Sequence, residues 1–532
     1  MALEDLMPLG DLLDRAGRMA GELAEDLGGT LAPVEDQLPD ELTATTDNLF
    51  RELGRQLGPD PFGSADPVLL DHDDPILHVA NRAAHGPTPA LVQEIRAIGG
   101  PEQWLRRQLH PGQIDDSDAE DRLAAFRQLG RTARHLHDDP TVDPTLVVHE
   151  LRAATLLRAV WSRRQLLEIM TGFWSDHLSV AMEIGSVVWH KAWEDLHVIR
   201  PRALGSFESL LLADAASPAM LLYLDQATSR APDVNENYAR ELLELHTVGL
   251  GSGFDEEDVR NAAFALAGWT FDWNTWSFTF RDEWHDPRPL RVLDWQHHGG
   301  TGVSRGQSLL RHLAQHPATA QRIASKLAIR FVSEAPTKEL VDRLASAYMA
   351  NHSAVRPVLE TLFASVEFWE SRGARLRRPT EQYAAWLRGL HPRIDIRRGG
   401  RSESVPQLNL SLQRLKQPPF GWPFPDGYPE HSAFWSSPAL LAERWSAASQ
   451  LVANGLPGVE VDLLRMVADT TTVDEAIDAM AARMTSRRPS ADERDVLQTF
   501  AGGGQRRVSE LDPAELVHLA HLVLVLPAVQ WR

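Results

Sequence analysis

Residues 144–173 read PTLVVHELRAATLLRAVWSRRQLLEIMTGF, and the spacing of their apolar side chains decides the fold class. Leu151, Thr155, Leu156, Ala159 and Val160 recur at helical steps, and Leu166, Ile169 and Met170 continue them. That is the 3.6-residue period of an α-helix, not the alternation of a strand. The same pattern extends outward. Upstream it covers 90–105, after Pro87 and Pro89, and 118–130. Downstream it covers 206–216, opened by a serine with Glu208 in the first turn, and then 218–227, 235–250 and 255–267. It resumes over 306–316, 317–332, 337–351, 354–368, 379–389 and 438–454, with short helices to the end. Residues 516–531 read as a buried terminal helix that Pro527 ends.

One region alternates instead. Trp269-Thr-Phe271-Asp-Trp273 and Trp276-Ser-Phe278-Thr-Phe280 flank Asn274-Thr275, which predicts a hairpin with a two-residue connection. Residues 393–405 are basic and rich in Gly and Ser, and read as a mobile loop. Residues 417–429 hold five prolines and two glycines, so they form coil, and Phe420, Trp422, Phe424 and Tyr428 favour an ordered one. The expected fold is therefore mainly α, a large multi-helix core with a small Trp-rich β-hairpin insert. Its expected divisions are an acidic, partly disordered arm over 1–75, a helical core carrying the polar motifs over 76–395, and a Pro/aromatic coil with C-terminal helices packing on that core over 396–532.

Composition bounds the chemistry. A chain of 532 residues, 43% apolar and 24% charged, is long enough to bury a large core. The absence of cysteine excludes disulfides, thiolate metal sites and a cysteine nucleophile. With 53 Lys and Arg against 74 Asp and Glu, the net charge of −21 argues against a nucleic-acid or anionic-membrane surface. Residues 1–75 carry 18 acids and 4 bases, and their amphipathic stretch 12–27 is a candidate docking helix for a protein partner. The first residues lack a basic segment followed by an apolar run, and no stretch reaches 18 apolar residues, so neither a signal peptide nor a membrane span is expected and the default location is cytoplasmic.

Four segments set polar residues in apolar company. His177 stands between Trp174 and Leu178, as a core histidine or as a ligand or general base. Arg200 and Arg202 precede a helix start, where they form either a salt bridge or an anion site. In 235–250, advanced at about 100° per residue, Asn237, Arg240 and Glu244 cluster away from the apolar face. Glu241 and His246 fall on its two flanks, about 140° apart, so they cannot share a metal from this helix alone. His285-Asp286 follows the hairpin, as a loop-borne pair in which Asp orients His or as a capped turn.

These segments, in this order, resemble the DUF1800 family, a large bacterial family named for its unknown function. Leu77 to Pro89, Gln165 to His177, Asn235 to Gly249 and Asp258 to Trp269 carry the resemblance, with His285-Asp286, His316 to Ala320, Lys326-Leu327, Phe331-Val332 and Pro423 to Gly427. Arg202 stands where the family pattern usually has His, and a usual Lys-Thr-Leu-Gly stretch near Asp294 is missing. The resemblance implies a helical fold and no reaction.

Two functions of different class follow. In the first, the protein is an enzyme with His177, Glu241, His246, His285 and Asp286 as catalytic candidates. Trp174, Arg200, Arg202, Asn237, Arg240 and Glu244 would bind substrate. A His/carboxylate-bound divalent metal would then serve hydrolysis or oxidation, and a metal-free acid–base site is a variant. In the second, the polar residues are structural, and the hairpin and the coil 420–428 form an aromatic binding surface. The enzyme reading places His177, Glu241, His246 and His285 around one pocket, and His177, Glu241 and His246 are expected to converge there and satisfy one another, directly or through a metal or water.

Overall fold

The computed structural model describes residues 68–300, 302–396 and 402–532. The expected acidic arm lies almost wholly outside these residues, as does the centre of the expected loop 393–405. Among the described residues the chain forms 26 α-helices and three two-stranded antiparallel sheets, so the fold is mainly α as the periodicity predicts. None of the described helices is long and apolar enough to cross a membrane.

The stretch 144–173 is two helices, Pro144–Trp161 and Gln165–His177, not one. Competing hydrogen bonds break it. Asp116 accepts from the Ser162 hydroxyl at 2.8 Å and from the Arg163 N–H at 2.6 Å. The Gln165 amide donates to the Ala159 and Ser162 carbonyls at 3.1 and 2.6 Å. Side chains thus take the backbone groups that a continuous helix would pair. The break has a consequence for packing. Leu151, Leu156 and Leu157 join one apolar core with Tyr383, Trp386 and the helices beyond 404. Leu166, Ile169, Phe173 and Trp174 join another with residues between 70 and 109, 198 and 269, and 309 and 368. The chain crosses between cores at 162–164. Residues 90–105 divide likewise, into Pro89–Ala97 and Pro101–Gln108, because Gly99 and Gly100 take φ of 99° and 103° and Pro101 starts the second helix.

The hairpin pairs Trp269–Asp272 with Ser277–Phe280, in the register Trp269↔Phe280 and Asp272↔Ser277. Its connection is four residues, not two. Asp272 accepts the Asn274 N–H at 2.7 Å through its side chain and the Trp276 N–H at 2.7 Å through its carbonyl, and Trp276 takes a positive φ of 55°. Strand content also exceeds the expectation: Leu290–Val292 pairs with Trp295–His297, and Arg393–Ile394 with Val459–Glu460. The ends of the expected loop 393–405 are therefore held, one by that sheet and the other by the helix Ser404–Arg414.

The Pro-rich coil is ordered without regular structure, because other elements satisfy its carbonyls. Arg152 donates to Pro419 at 2.9 Å, the Met182 N–H to Phe420 at 3.1 Å, Tyr223 to Pro423 at 3.0 Å, Trp435 to Pro429 at 2.8 Å and Arg375 to Glu430 at 2.7 Å.

Between the cores lies a cluster of buried charge. Glu381, in the first turn of Pro379–Leu390, pairs with Arg330 of Pro317–Phe331, with Arg378 at 2.9 Å and with Arg532 at 3.2 Å. Glu430 of the coil meets Arg375 at 3.0 Å, Arg378 at 3.3 Å and Arg330 at 3.4 Å. Asp176 meets Arg378 at 2.7 Å. Burial pushes the Glu381 carboxyl up, but Arg330, Arg532 and Arg378 together hold it well below the usual carboxylate range. A carboxyl depressed in the folded state contributes stability above its unfolded pKa and loses it as pH falls through its folded pKa. Glu381→Gln should therefore cost about 3–5 kcal/mol at pH 7, the cost of leaving buried charges without their counter-ion, and the deficit should shrink in acid. A denaturant melt showing a loss under about 1 kcal/mol at pH 7 would remove the cluster from the account of stability.

Candidate functional site

The segment 235–250 does not remain an α-helix. Asn237–Glu241 is α-helical, and Leu242–His246 is a π turn. A π turn is wider than an α turn, so a 100° wheel fails beyond Glu241. Thr247 then leaves helical geometry, at φ −125° and ψ −107°, and its hydroxyl caps the Leu242 carbonyl at 2.6 Å. The result sets His246, wholly buried, beside His177 at the end of Gln165–His177, with ring centroids 6.3 Å apart.

His177 is enclosed by aromatic rings: Phe173 stacked at 6.4 Å, with Trp174 and Phe207 edge-on at 5.6 Å each. Its two nitrogens are both engaged. Nε2 lies 3.0 Å from the His246 carbonyl, and Nδ1 lies 2.9 Å from Lys326 Nζ. A carbonyl accepts only, so Nε2 carries the proton, and Nδ1 is left to accept from the lysine. Burial, with Lys326, His246 and Arg322 nearby, holds the ring neutral, well below the usual histidine range. His246 is lowered to about 3 by burial, then by Lys326 and Arg322, while the Pro425 carbonyl opposes this. The Pro425 carbonyl approaches its ring without reaching full hydrogen-bond geometry.

Lys326 belongs to Pro317–Phe331, where Arg322, Lys326 and Arg330 follow at four-residue steps and share one face. Each cation has a different terminus. Arg322 donates to the Leu245 carbonyl at 3.0 Å, Lys326 meets His177, and Arg330 enters the Glu381 cluster. Burial and the Arg322 guanidinium push the Lys326 ammonium down to about 8, against the pull of Asp176, Glu430 and Asp426. The coil 423–430 closes over this end of the helices. Gly427, at φ 75°, permits the closure: a Cβ there would overlap the Asp176 carbonyl. Asp426, next to it, stays exposed and accepts from Trp422 Nε1 at 2.7 Å. Half-buried Lys326 thus meets buried His177 near the coil that carries Asp426.

Of the residues expected at the site, the structure brings together His177 and His246. Glu241 forms no hydrogen bond or ion pair with either. It is half-buried, and its carboxyl is raised by that burial and then by Glu244, with Arg240 opposing and Asp426 adding. His285 and Asp286 are not a pair. His285 Nδ1 donates to Ala267 at 2.9 Å and its Nε2 faces Arg305 at 3.3 Å, whereas Asp286 binds Arg288 at 2.5 Å. The tight turn directs the two side chains to different partners. Trp174 is fully buried, donates to the Ala203 carbonyl at 2.9 Å and stacks on Phe207, so it offers no face to a ligand. Arg200 is occupied by Glu168 at 2.7 Å and Asp195 at 3.7 Å, and Arg202 donates through Nη1 to the His197 and Val198 carbonyls. Arg240 and Glu244 pair at 3.6 Å within a half-exposed cluster that includes Glu236 and Glu256, and Asn237 donates to Leu224 at 3.4 Å.

The residues do not fit the expected shared metal. A ligand nitrogen must be free of its proton and of other partners, whereas His177 spends both on Lys326 and the His246 carbonyl. Among the described residues no three His, Asp or Glu side chains gather closely enough to hold one. Lys326 is the member of this cluster that sequence reasoning missed. Its signal was in the sequence: three cations four residues apart repel one another unless each faces a partner off the helix.

Fold and site together define a class, a mainly helical protein in which a lysine and a buried histidine, Lys326 and His177, meet at the ends of helices of the first core. The family model described as "Protein of unknown function (DUF1800)" matches residues 78–531, and the chain belongs to that family. No curated protein and no solved structure matched it.

The buried, neutral His246 ring makes a prediction. A histidine held neutral when folded lets the unfolded chain bind more protons, so stability falls as pH drops below about 6.5 toward the folded value of about 3. His246→Leu should lose less stability than the parent between pH 7 and pH 5, by up to about 2 kcal/mol. Parallel pH dependence in the two proteins would show that His246 is charged, or equally solvated, in the fold.

Proposed function

We propose that the chain is an enzyme whose reaction centre is a metal-free acid–base pair, Lys326 and His177, and that the amine of Lys326 is the group that takes a proton from substrate. The single observation that carries this reading is the 2.9 Å contact from Lys326 Nζ to His177 Nδ1. A lysine is a poor base while its pKa stays near 10.4, and burial beside another cation is a means of releasing its lone pair near neutral pH. Here both influences act, from the enclosure and from Arg322. His177 holds the amine in place and is itself held by the His246 carbonyl, so the pair is oriented before substrate arrives. Arg322 is only partly enclosed and keeps donors beyond the one given to Leu245, which suits a substrate bearing an oxyanion or carboxylate next to the proton that leaves.

A non-catalytic binding role is favoured by a separate observation. Phe424 and Phe434 are 59% and 50% exposed and pack on Trp422 at 5.9 and 5.8 Å, and Trp273 of the hairpin is 58% exposed. Flat aromatic faces of this kind take apolar or carbohydrate ligands. In the enzyme reading, Phe424 and Trp422 line the approach to Asp426 and Lys326.

Reductive methylation or acylation with site-resolved mass spectrometry separates the two. Lys326 should react as a neutral amine with a midpoint near pH 8, and His177→Ala should move that midpoint. A Lys326 that stays unreactive below pH 10 would end the acid–base reading and leave the aromatic surface as the functional feature.

A further inference from the structure

The interior holds more positive charge than it neutralises. Six guanidinium groups, from Arg82, Arg330, Arg375, Arg377, Arg378 and Arg532, are buried. The carboxylates that pair with them are three, Asp176, Glu381 and Glu430. Arg82 and Arg377 pair with none of these; they meet the Ser371 carbonyl, and the Asn81 amide oxygen with the Val529 carbonyl. Donors are left over as well. Arg82 Nε and Nη1, Arg330 Nε, Arg375 Nε and Arg532 Nε make no hydrogen bond, although each is out of contact with solvent. They are near neighbours: Arg330 and Arg532 share Glu381, Arg330 and Arg375 share Glu430, the Arg375 and Arg532 backbones exchange two hydrogen bonds, and Arg82 lies close enough to feel Arg330 and Arg375.

An arginine does not relieve such a position by giving up its proton, because guanidinium stays charged in proteins. Uncompensated buried charge is costly, and so is each orphaned donor. A bound anion answers both at once. We propose that Arg82, Arg330, Arg375 and Arg532 enclose a small inorganic anion of halide size, held as a structural counter-ion. A halide suits the geometry because it accepts from several N–H groups without a required direction, and the orphaned donors come from four different chain segments. The inference is independent of the Lys326 proposal, and neither depends on the other's success.

The test is thermal melting of the full chain at constant ionic strength, with sodium gluconate replaced stepwise by sodium chloride or bromide. Past the dissociation constant, Tm should rise with the logarithm of halide, on the order of 1 °C per tenfold increase for a chain of this length, and gluconate should not reproduce it. Arg82→Met should abolish the halide-specific rise. Should that variant fail to fold, bromide-soaked crystals of the parent protein decide: an anomalous peak within about 3.5 Å of the Arg82 and Arg532 guanidinium groups supports the site. The same Tm in chloride and gluconate with no bromide peak, or an unchanged halide response in a folded Arg82→Met, overturns it.

Discussion

The ion pair between Arg330 and Glu381 joins the two halves of the molecule. Arg330 closes a helix of the first core, and Glu381 opens a helix of the second. Around that pair, Arg378 reaches Asp176 and both Arg375 and Arg378 reach Glu430, so the ends of three helices and the Pro-rich coil are tied at one point. The consequence for the candidate site is positional. Asp176 precedes His177 in the chain, Glu430 follows the coil that covers Lys326, and Arg330 lies one turn from Lys326. A charge cluster that holds these neighbours also fixes where lysine and histidine meet.

Cost explains why such a cluster persists. Ion pairs in an interior seldom stabilise more than well-packed apolar groups would, because each charge gives up its hydration. What they add is specificity: guanidinium and carboxylate must meet in a fixed geometry, and the alternatives leave bare charge. A coil without regular structure, such as 417–430, needs that kind of definition. Its backbone obtains it from Arg152, Tyr223, Arg375 and Trp435 in place of a helix or sheet ladder.

The periodicity of 144–173 revealed helix and core but not the break at 162–164, because that break is made by Asp116, nearly fifty residues away. The hairpin was legible from alternation, whereas its four-residue turn depended on the Asp272 side chain, which a count of turn residues overlooks. His177 and His246 were legible as costly residues in apolar company, and their adjacency survives. The 100° wheel does not carry from Glu241 to His246, because the segment turns π between them. Lys326 lay in plain view, within a row of cations whose spacing demanded partners, yet a search framed around metal ligands does not count lysine.

The account's central claim is that His177 is a neutral, Nε2-protonated ring donating to the His246 carbonyl and accepting from Lys326. Nitrogen-15 spectroscopy of the histidine-labelled protein reads this directly, since ring nitrogens with and without a proton differ strongly in shift. The expected result is a His177 ring with protonated Nε2 and bare Nδ1 that stays neutral through and below the usual histidine midpoint of about 6.5. His177→Asn would identify the signal by removing it. A His177 ring that gains charge near pH 6.5, or that carries its proton on Nδ1, would contradict the arrangement on which the site is built.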